Sequence, residues 1–243
     1  MAILLEERTV TLEHADMYRR VPIQRPSQPL ARAAGWHASD LLRDIAIEYG
    51  WLKRGSAEDQ EAQPTDFPWR WALGQAWEEY WFSFHCHYTA DDDYTIWQPG
   101  ERRVDEIAVN ADALTRVPRD REGRSPRPDW SARRGITCWV EETKNTEKKV
   151  RSGEEFLMEK MWMHQARSYV LRYVPEARVG GGVCRWTVQY YRGDYRGSGP
   201  VCVQYAVYFS AGECVSTWDM LRDRKKLLEE KGVGPEQRVE RAL

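Results

Sequence analysis

The sequence predicts an α/β (α+β) protein with a mixed central β-sheet flanked by helices, and three observations predict it. Stretches with apolar residues at helical spacing alternate with β-rich stretches in the order helix, strands, helix, strands. The 243 residues can bury a sizeable core. No long Pro/Gly/Ser linker divides the chain and no internal repeat is visible, so one elaborated domain is expected.

Residues 1–35 include "RVPIQRPSQPLARAAG", rich in Pro and Arg, and are expected to form an irregular arm ahead of a single domain at 36–232. In "HASDLLRDIAIEYGWLKRG", Leu41, Leu42, Ile45, Ala46 and Tyr49 recur at helical spacing, Ser39 offers a cap, and Gly50 and Gly55 interrupt. The polar stretch "SAEDQEAQPTDFP" separates this helix from a second, "WRWALGQAWEEYWFSF", and "DDDYTIWQPG" reads as a turn and a short strand. Two strand candidates follow, "RRVDEIAVNADALTRV" and "GITCWVEETKN", joined by an Arg-rich connection. After Gly153 the spacing predicts a long helix over "EEFLMEKMWMHQARSYVLRYV", stopped by Pro175. Two β-rich segments, "GGVCRWTVQYYRGDY" and "PVCVQYAVYFSAGE", precede an amphipathic helix, "TWDMLRDRKKLLEE", and a frayed tail at 233–243.

Composition narrows the functional classes. A formal net charge of −2 excludes a globally cationic protein, so any nucleic-acid contact must come from local clusters of Arg and Lys. The apolar run in "MAILLEERTVTLEH" is too short for a signal peptide and no eighteen apolar residues follow one another, so a cytoplasmic protein without a membrane partner is expected. Cys86, Cys138, Cys184, Cys202 and Cys214 are odd in number, scattered and without a CxxC pair, which predicts buried free thiols rather than a zinc ribbon or an iron–sulfur cluster.

The chemistry concentrates in "WVEETKNTEKK". Strand alternation puts Ile136, Cys138, Val140, Glu142 and Lys144 on one face, so Glu142 and Lys144 project together. A carboxylate can hold a divalent cation, and an ammonium beside it can orient an attacking water or stabilise phosphorane charge. An ordinary surface ion pair is the plainer reading of an isolated ExK. Glu147 and Lys149 repeat the spacing outside any apolar alternation and read as a solvated exit. Asp112 in "IAVNADAL" is an acid in apolar strand text, costly to bury unless a cation compensates or it caps a turn. Asp105 and Glu106, beside Arg102 and Arg103, look like a solvated strand start. Gly74 and Glu78 lie four apart on the second helix, where Glu78, with Glu79 as the fallback, offers a further carboxylate. Gln165 and Tyr169 lie one helical turn apart, with side chains able to bond phosphate or stack on a strand end.

In order, G74xxxE78, Asp112, E142xK144 and Q165xxxY169 resemble the motif set of the PD-(D/E)xK nuclease superfamily, most closely its RecB-like exonuclease branch. The chain departs from many members of that branch at Val109, where they carry Gly, and at Trp77–Glu78, where they carry His. The resemblance implies a restriction-endonuclease-like core and a Mg2+- or Mn2+-dependent deoxyribonuclease. It makes Asp112 and Glu142 metal ligands, Lys144 the catalytic lysine and Glu78 an accessory acid, and it has Gln165 with Tyr169 position DNA. It leaves room for a homo-oligomer or a recombination partner protein.

The connection at 115–135 carries Arg116, Arg119, Arg121, Arg124, Arg127, Arg133 and Arg134 against two Asp and one Glu, which predicts a DNA-backbone contact beside the metal site. Arg167 and Arg172 are expected to extend that surface. Trp69, Trp71, Trp77 and Trp81 follow helical spacing and read as core. His85 and His87 lack a matching ligand pair, and "VGGGV" lacks the residues of a phosphate loop and reads as a turn. The expected function is DNA hydrolysis by an exonuclease or end-processing enzyme of recombination, repair or phage DNA metabolism. The alternatives are a structure-specific or restriction-type endonuclease, and a DNA-binding or assembly module without turnover.

Overall fold

The computed structural model describes residues 2–10, 34–52, 95–117, 128–146, 152–190 and 201–235. These residues form a mixed α/β fold in which a mixed six-stranded sheet is flanked by helices. Its strands are β1 (Ile3–Val10), β3 (Thr95–Trp97), β6 (Ala113–Arg116), β7 (Cys138–Thr146), β8 (Gly182–Tyr190) and β9 (Val201–Phe209), in the order β1-β9-β8-β7-β6-β3. Among the described strands of this sheet only β7 and β8 run parallel. A parallel neighbour needs a crossover, and here it consists of α3 (Gly153–Leu157), α4 (Lys160–Tyr173) and α5 (Ala177–Gly180). A smaller sheet is built from β2 (Trp36–His37), β5 (Ile107–Val109) and β4 (Arg102–Val104). The remaining helices are α1 (Ala38–Glu48), α2 (Asp129–Arg134) and α6 (Ala211–Glu230).

Strand alternation sorts the side chains into two layers. Val140, Cys184, Trp186, Val188, Tyr205, Val207 and Phe209 face α4, α6 and α1 and share one core with Leu41, Tyr169, Trp218 and Leu221. Phe156 of α3 stacks on Tyr205 with centroids 3.9 Å apart and meets Trp186 edge-on. The opposite face carries a second core, in which Trp130 of α2 packs edge-on against Trp139 beside Val183 and Ala206. Cys138, Cys184, Cys202 and Cys214 are buried free thiols, and the burial of Cys184 raises its pKa well above the usual range.

Several boundaries differ from expectation. Ile3–Val10 is not an irregular arm but an edge strand paired antiparallel with β9, a partner some 200 residues away that local composition does not show. Ser39 does not cap α1, because the helix already begins at Ala38 with His37 in the capping position. The strand expected over 102–117 is three strands in two sheets. Asp105 and Glu106 both have positive φ, 52° and 61°, and close a two-residue β4–β5 turn rather than starting a strand. The helix expected after Gly153 breaks at Met158–Glu159 into α3 and α4. α6 starts six residues early because Ser210 and Glu213 form a reciprocal capping box. "VGGGV" runs from α5 into β8, and Gly181 at φ 74° cannot take a side chain, since a Cβ there would stand 2.2 Å from the Phe209 carbonyl oxygen.

Candidate active site

β7 positions the first two side chains. Cys138 to Glu142 are buried, and the strand hydrogen-bonds β6 on one side and β8 on the other. Glu142 points to the α4 face, in register with Trp186, and is 3 % exposed. A carboxylate so deeply placed is costly unless paired. Lys144, two residues on and on the same face, donates a charge-assisted hydrogen bond to Glu142 Oε1. The strand continues through Asn145 and Thr146, past the point where the alternation in the sequence ends. Glu147 and Lys149 lie outside the described residues.

Asp112 arrives from the strand next to β7. It sits at the bend where the chain leaves β5 of the small sheet and enters β6 of the large one, one residue before Ala113, which pairs with Glu141. Its Oδ2 accepts hydrogen bonds from the backbone N–H of Thr143 at 2.6 Å and from the Thr143 hydroxyl at 2.9 Å. These bonds fix the acid against the residue between Glu142 and Lys144. Both fall on one oxygen, so among the described residues Oδ1 is left for another partner.

α4 closes the group from above. The Tyr169 hydroxyl accepts a 2.7 Å hydrogen bond from Gln165 Nε2, so the two side chains one turn apart form a unit. Tyr169 is 5 % exposed. Burial, and then the negative charges of Glu142 and Asp112, push its pKa well above that of a free phenol, so it remains a hydroxyl donor at neutral pH. Asp112, Glu142, Lys144, Gln165 and Tyr169 thus occupy one region, although they come from three elements spread over 58 positions of the sequence.

Two neighbours were not expected in the site. Thr143 anchors Asp112 through a backbone N–H, which no sequence pattern reveals. Glu141, on the reverse face of β7, takes bidentate hydrogen bonds from Arg185 at 2.9 and 2.6 Å, with further bonds from Thr115 and Trp139 at 2.7 Å each. It thereby ties β6, β7 and β8 together directly behind Glu142.

The basic residues that the structure describes fall elsewhere. Arg116 lies at the far end of β6, over the Trp97 ring and paired with Cys138, roughly 13 Å along the strand from Glu142 at about 3.3 Å per residue. Arg133 and Arg134 belong to α2, on the opposite side of the sheet from Glu142; Arg133 pairs with Asp129 and Arg134 lies over Tyr208. Arg167 pairs with Glu213 and Arg172 stacks on Trp218 at 3.6 Å, so both serve the packing of α4 on α6 rather than an open surface. Arg119, Arg121, Arg124 and Arg127 lie outside the described residues, as do Glu78, Glu79, Cys86, the helix at 69–84, and His85 with His87.

No group of three His, Cys, Asp or Glu side chains suited to a metal ion occurs among the described residues. Magnesium, however, is commonly held by one or two carboxylates, with water and substrate phosphate completing its shell. Asp112, with one oxygen left over, and Glu142, deeply buried in the same region, fit that donor set. No helix among the described residues is long and apolar enough to cross a membrane. Comparison with known proteins returns no relative: no protein-family model, no curated protein and no solved structure matches the chain.

Proposed function

We propose that this protein is a divalent-metal-dependent deoxyribonuclease with a restriction-endonuclease-like core, acting as an exonuclease or end-processing enzyme. One observation carries the reading: the hydrogen-bonded Gln165–Tyr169 pair stands within electrostatic reach of both Asp112 and Glu142, with Lys144 bonded to the latter. Three of the four motif elements whose order resembles the nuclease pattern, Asp112, E142xK144 and Q165xxxY169, thus stand in one region.

Asp112 and Glu142 would hold Mg2+ or Mn2+, with Glu78 as a further acid. A bound divalent cation supplies Lewis-acid stabilisation of the charge that builds on a phosphodiester during hydrolysis. The protein's own groups account for the rest. The Lys144 ammonium supplies a fixed positive charge and N–H donors for an attacking water or for a phosphate oxygen. The Tyr169 hydroxyl, kept protonated, and the Gln165 amide can donate to the phosphate and hold the strand in line. Thr143 keeps Asp112 from turning away.

The test uses purified protein with end-labelled linear and closed circular DNA, in magnesium or EDTA. Shortening of linear DNA alone supports the end-processing reading. Nicking or linearisation of the circle supports the endonuclease alternative on the same core. If neither substrate changes in a metal-dependent way, the enzyme proposal fails. Retained DNA binding without turnover then favours the non-catalytic module.

A further inference from the structure

Just beyond α1 the chain builds a stack of rings that the hydrolytic site does not use. The helix ends with Trp51 N–H bonding back to the Ala46 carbonyl at 2.7 Å and Gly50 N–H to that of Ile47, and Gly50, at φ 69°, makes the reversal. This rigid cap holds Tyr49 and Trp51 with ring centroids 5.7 Å apart and planes 25° from parallel. The His164 imidazole stacks on Trp51 at 5.2 Å and 7°. The Lys160 ammonium stands 5.2 Å over the same indole. Lys160 opens α4, the helix that carries Gln165 and Tyr169 to the carboxylates, and His164 adjoins Gln165.

The two ends of the stack differ. His164 is the inner member: its Nδ1 lies 3.0 Å from the Thr217 hydroxyl, and burial lowers its pKa to about 4, so near neutral pH it is an uncharged aromatic plate. Tyr49 is the outer member and is 66 % exposed, although it is large and its ring is held in place from beneath. A pre-ordered aromatic ring in water, continuing a stack and accompanied by a cation, matches the needs of an unpaired nucleobase, which offers a π-face and brings a phosphate with it. Bases within a duplex keep their faces covered and cannot use such a ring.

We propose that Tyr49 is a stacking platform for an unpaired base of single-stranded DNA entering the site, with Lys160 contacting a phosphate of the same strand. The inference builds on the reading of the site as a DNA hydrolase and supplies what that reading lacks, a preference for single strands or frayed ends.

The experiment is equilibrium binding of the full chain in EDTA to a labelled oligothymidylate of roughly ten nucleotides and to a duplex of equal length. Tyr49→Ala should weaken single-strand binding by roughly 5- to 100-fold and leave duplex binding and the melting temperature unchanged. Tyr49→Phe should retain affinity, and Lys160→Gln should lower the salt slope of single-strand binding by about one. Absence of binding to the oligothymidylate, unchanged affinity in Tyr49→Ala, or equal losses in Tyr49→Phe and Tyr49→Ala would each overturn the platform. A magnesium cleavage assay run in parallel separates the two ideas. Cleavage with a Tyr49-independent affinity removes the platform alone, and Tyr49-dependent binding without cleavage removes the hydrolase alone.

Discussion

Glu141 and Glu142 are neighbours in the chain and point to opposite faces of one strand, where each is buried beside a different cation. Glu141 is locked to Arg185, Thr115 and Trp139, whereas Glu142 bonds Lys144 on the face that α4 covers with Tyr169. Two side chains of the same type therefore separate into a clamp and a candidate reactive group, and substitution should separate them as well.

Glu142→Gln and Lys144→Ala should each lower magnesium-dependent cleavage by about 100-fold or more, the scale expected for losing a charge aimed at the reacting phosphate. Glu142→Gln should remain folded, because Gln keeps the shape of Glu, whereas Lys144→Ala removes the ammonium beside a carboxylate only 3 % exposed and should lower the melting temperature as well. Nuclease assays with melting curves on the same samples check this, and full activity in either variant would discard the assignment.

At Asp112 two substitutions should give different results. Asp112→Asn keeps an oxygen for the Thr143 N–H and should hold stability near that of the parent while activity collapses. Asp112→Ala leaves that N–H without its acceptor and should cost about 1–3 kcal/mol in addition. Urea unfolding alongside cleavage rates distinguishes the two. Equal stability in both variants would mean that the Asp112–Thr143 contact contributes little to the fold.

Glu141→Ala should lower stability by about 3–5 kcal/mol, since it leaves the Arg185 guanidinium, 9 % exposed, without its bidentate partner in the sheet. Any loss of cleavage should follow the folded fraction. The urea midpoint is the measurement, and a shift too small to resolve would rule out the clamp.

His164 carries a pH prediction. Burial holds its folded pKa near 4, below the value of about 6.5 for an unfolded histidine. The unfolded chain therefore binds more protons over this interval. The stabilising contribution is fully present above pH 6.5, is lost progressively as pH falls from 6.5 toward 4, and levels off below. Melting temperature followed across that range should fall more steeply for the parent than for His164→Gln, and parallel curves would refute the assignment.

The sequence made the two faces of β7 legible because both ends of its alternation are marked, by Val140 within and Lys144 without. Q165xxxY169 was legible because helical spacing needs no long-range information. For Asp112 the sequence leaves open an acid within strand text or a strand-end turn, since apolar neighbours suit either position, and the structure has it at a bend between two sheets. The placement of Arg133 and Arg134 is not legible for a related reason: composition shows that a segment is basic and is silent on which side of a sheet it packs. Ile3–Val10 and the Glu141–Arg185 pair depend on partners remote in sequence, and no local pattern reports them.

The β4–β5 turn is held from outside the sheet. Trp218 of α6 donates to Asp105, Lys225 of the same helix bonds Glu106, and Tyr173 of α4 donates to the Val109 carbonyl. Asp112 lies three residues beyond Val109, and its other anchor is on β7. The carboxylate is thus suspended between the helical layer and the large sheet, like a pointer whose pivot and scale belong to separate bodies. Any change that slides one layer over the other will register first as a displaced acid, with the rest of the molecule still folded.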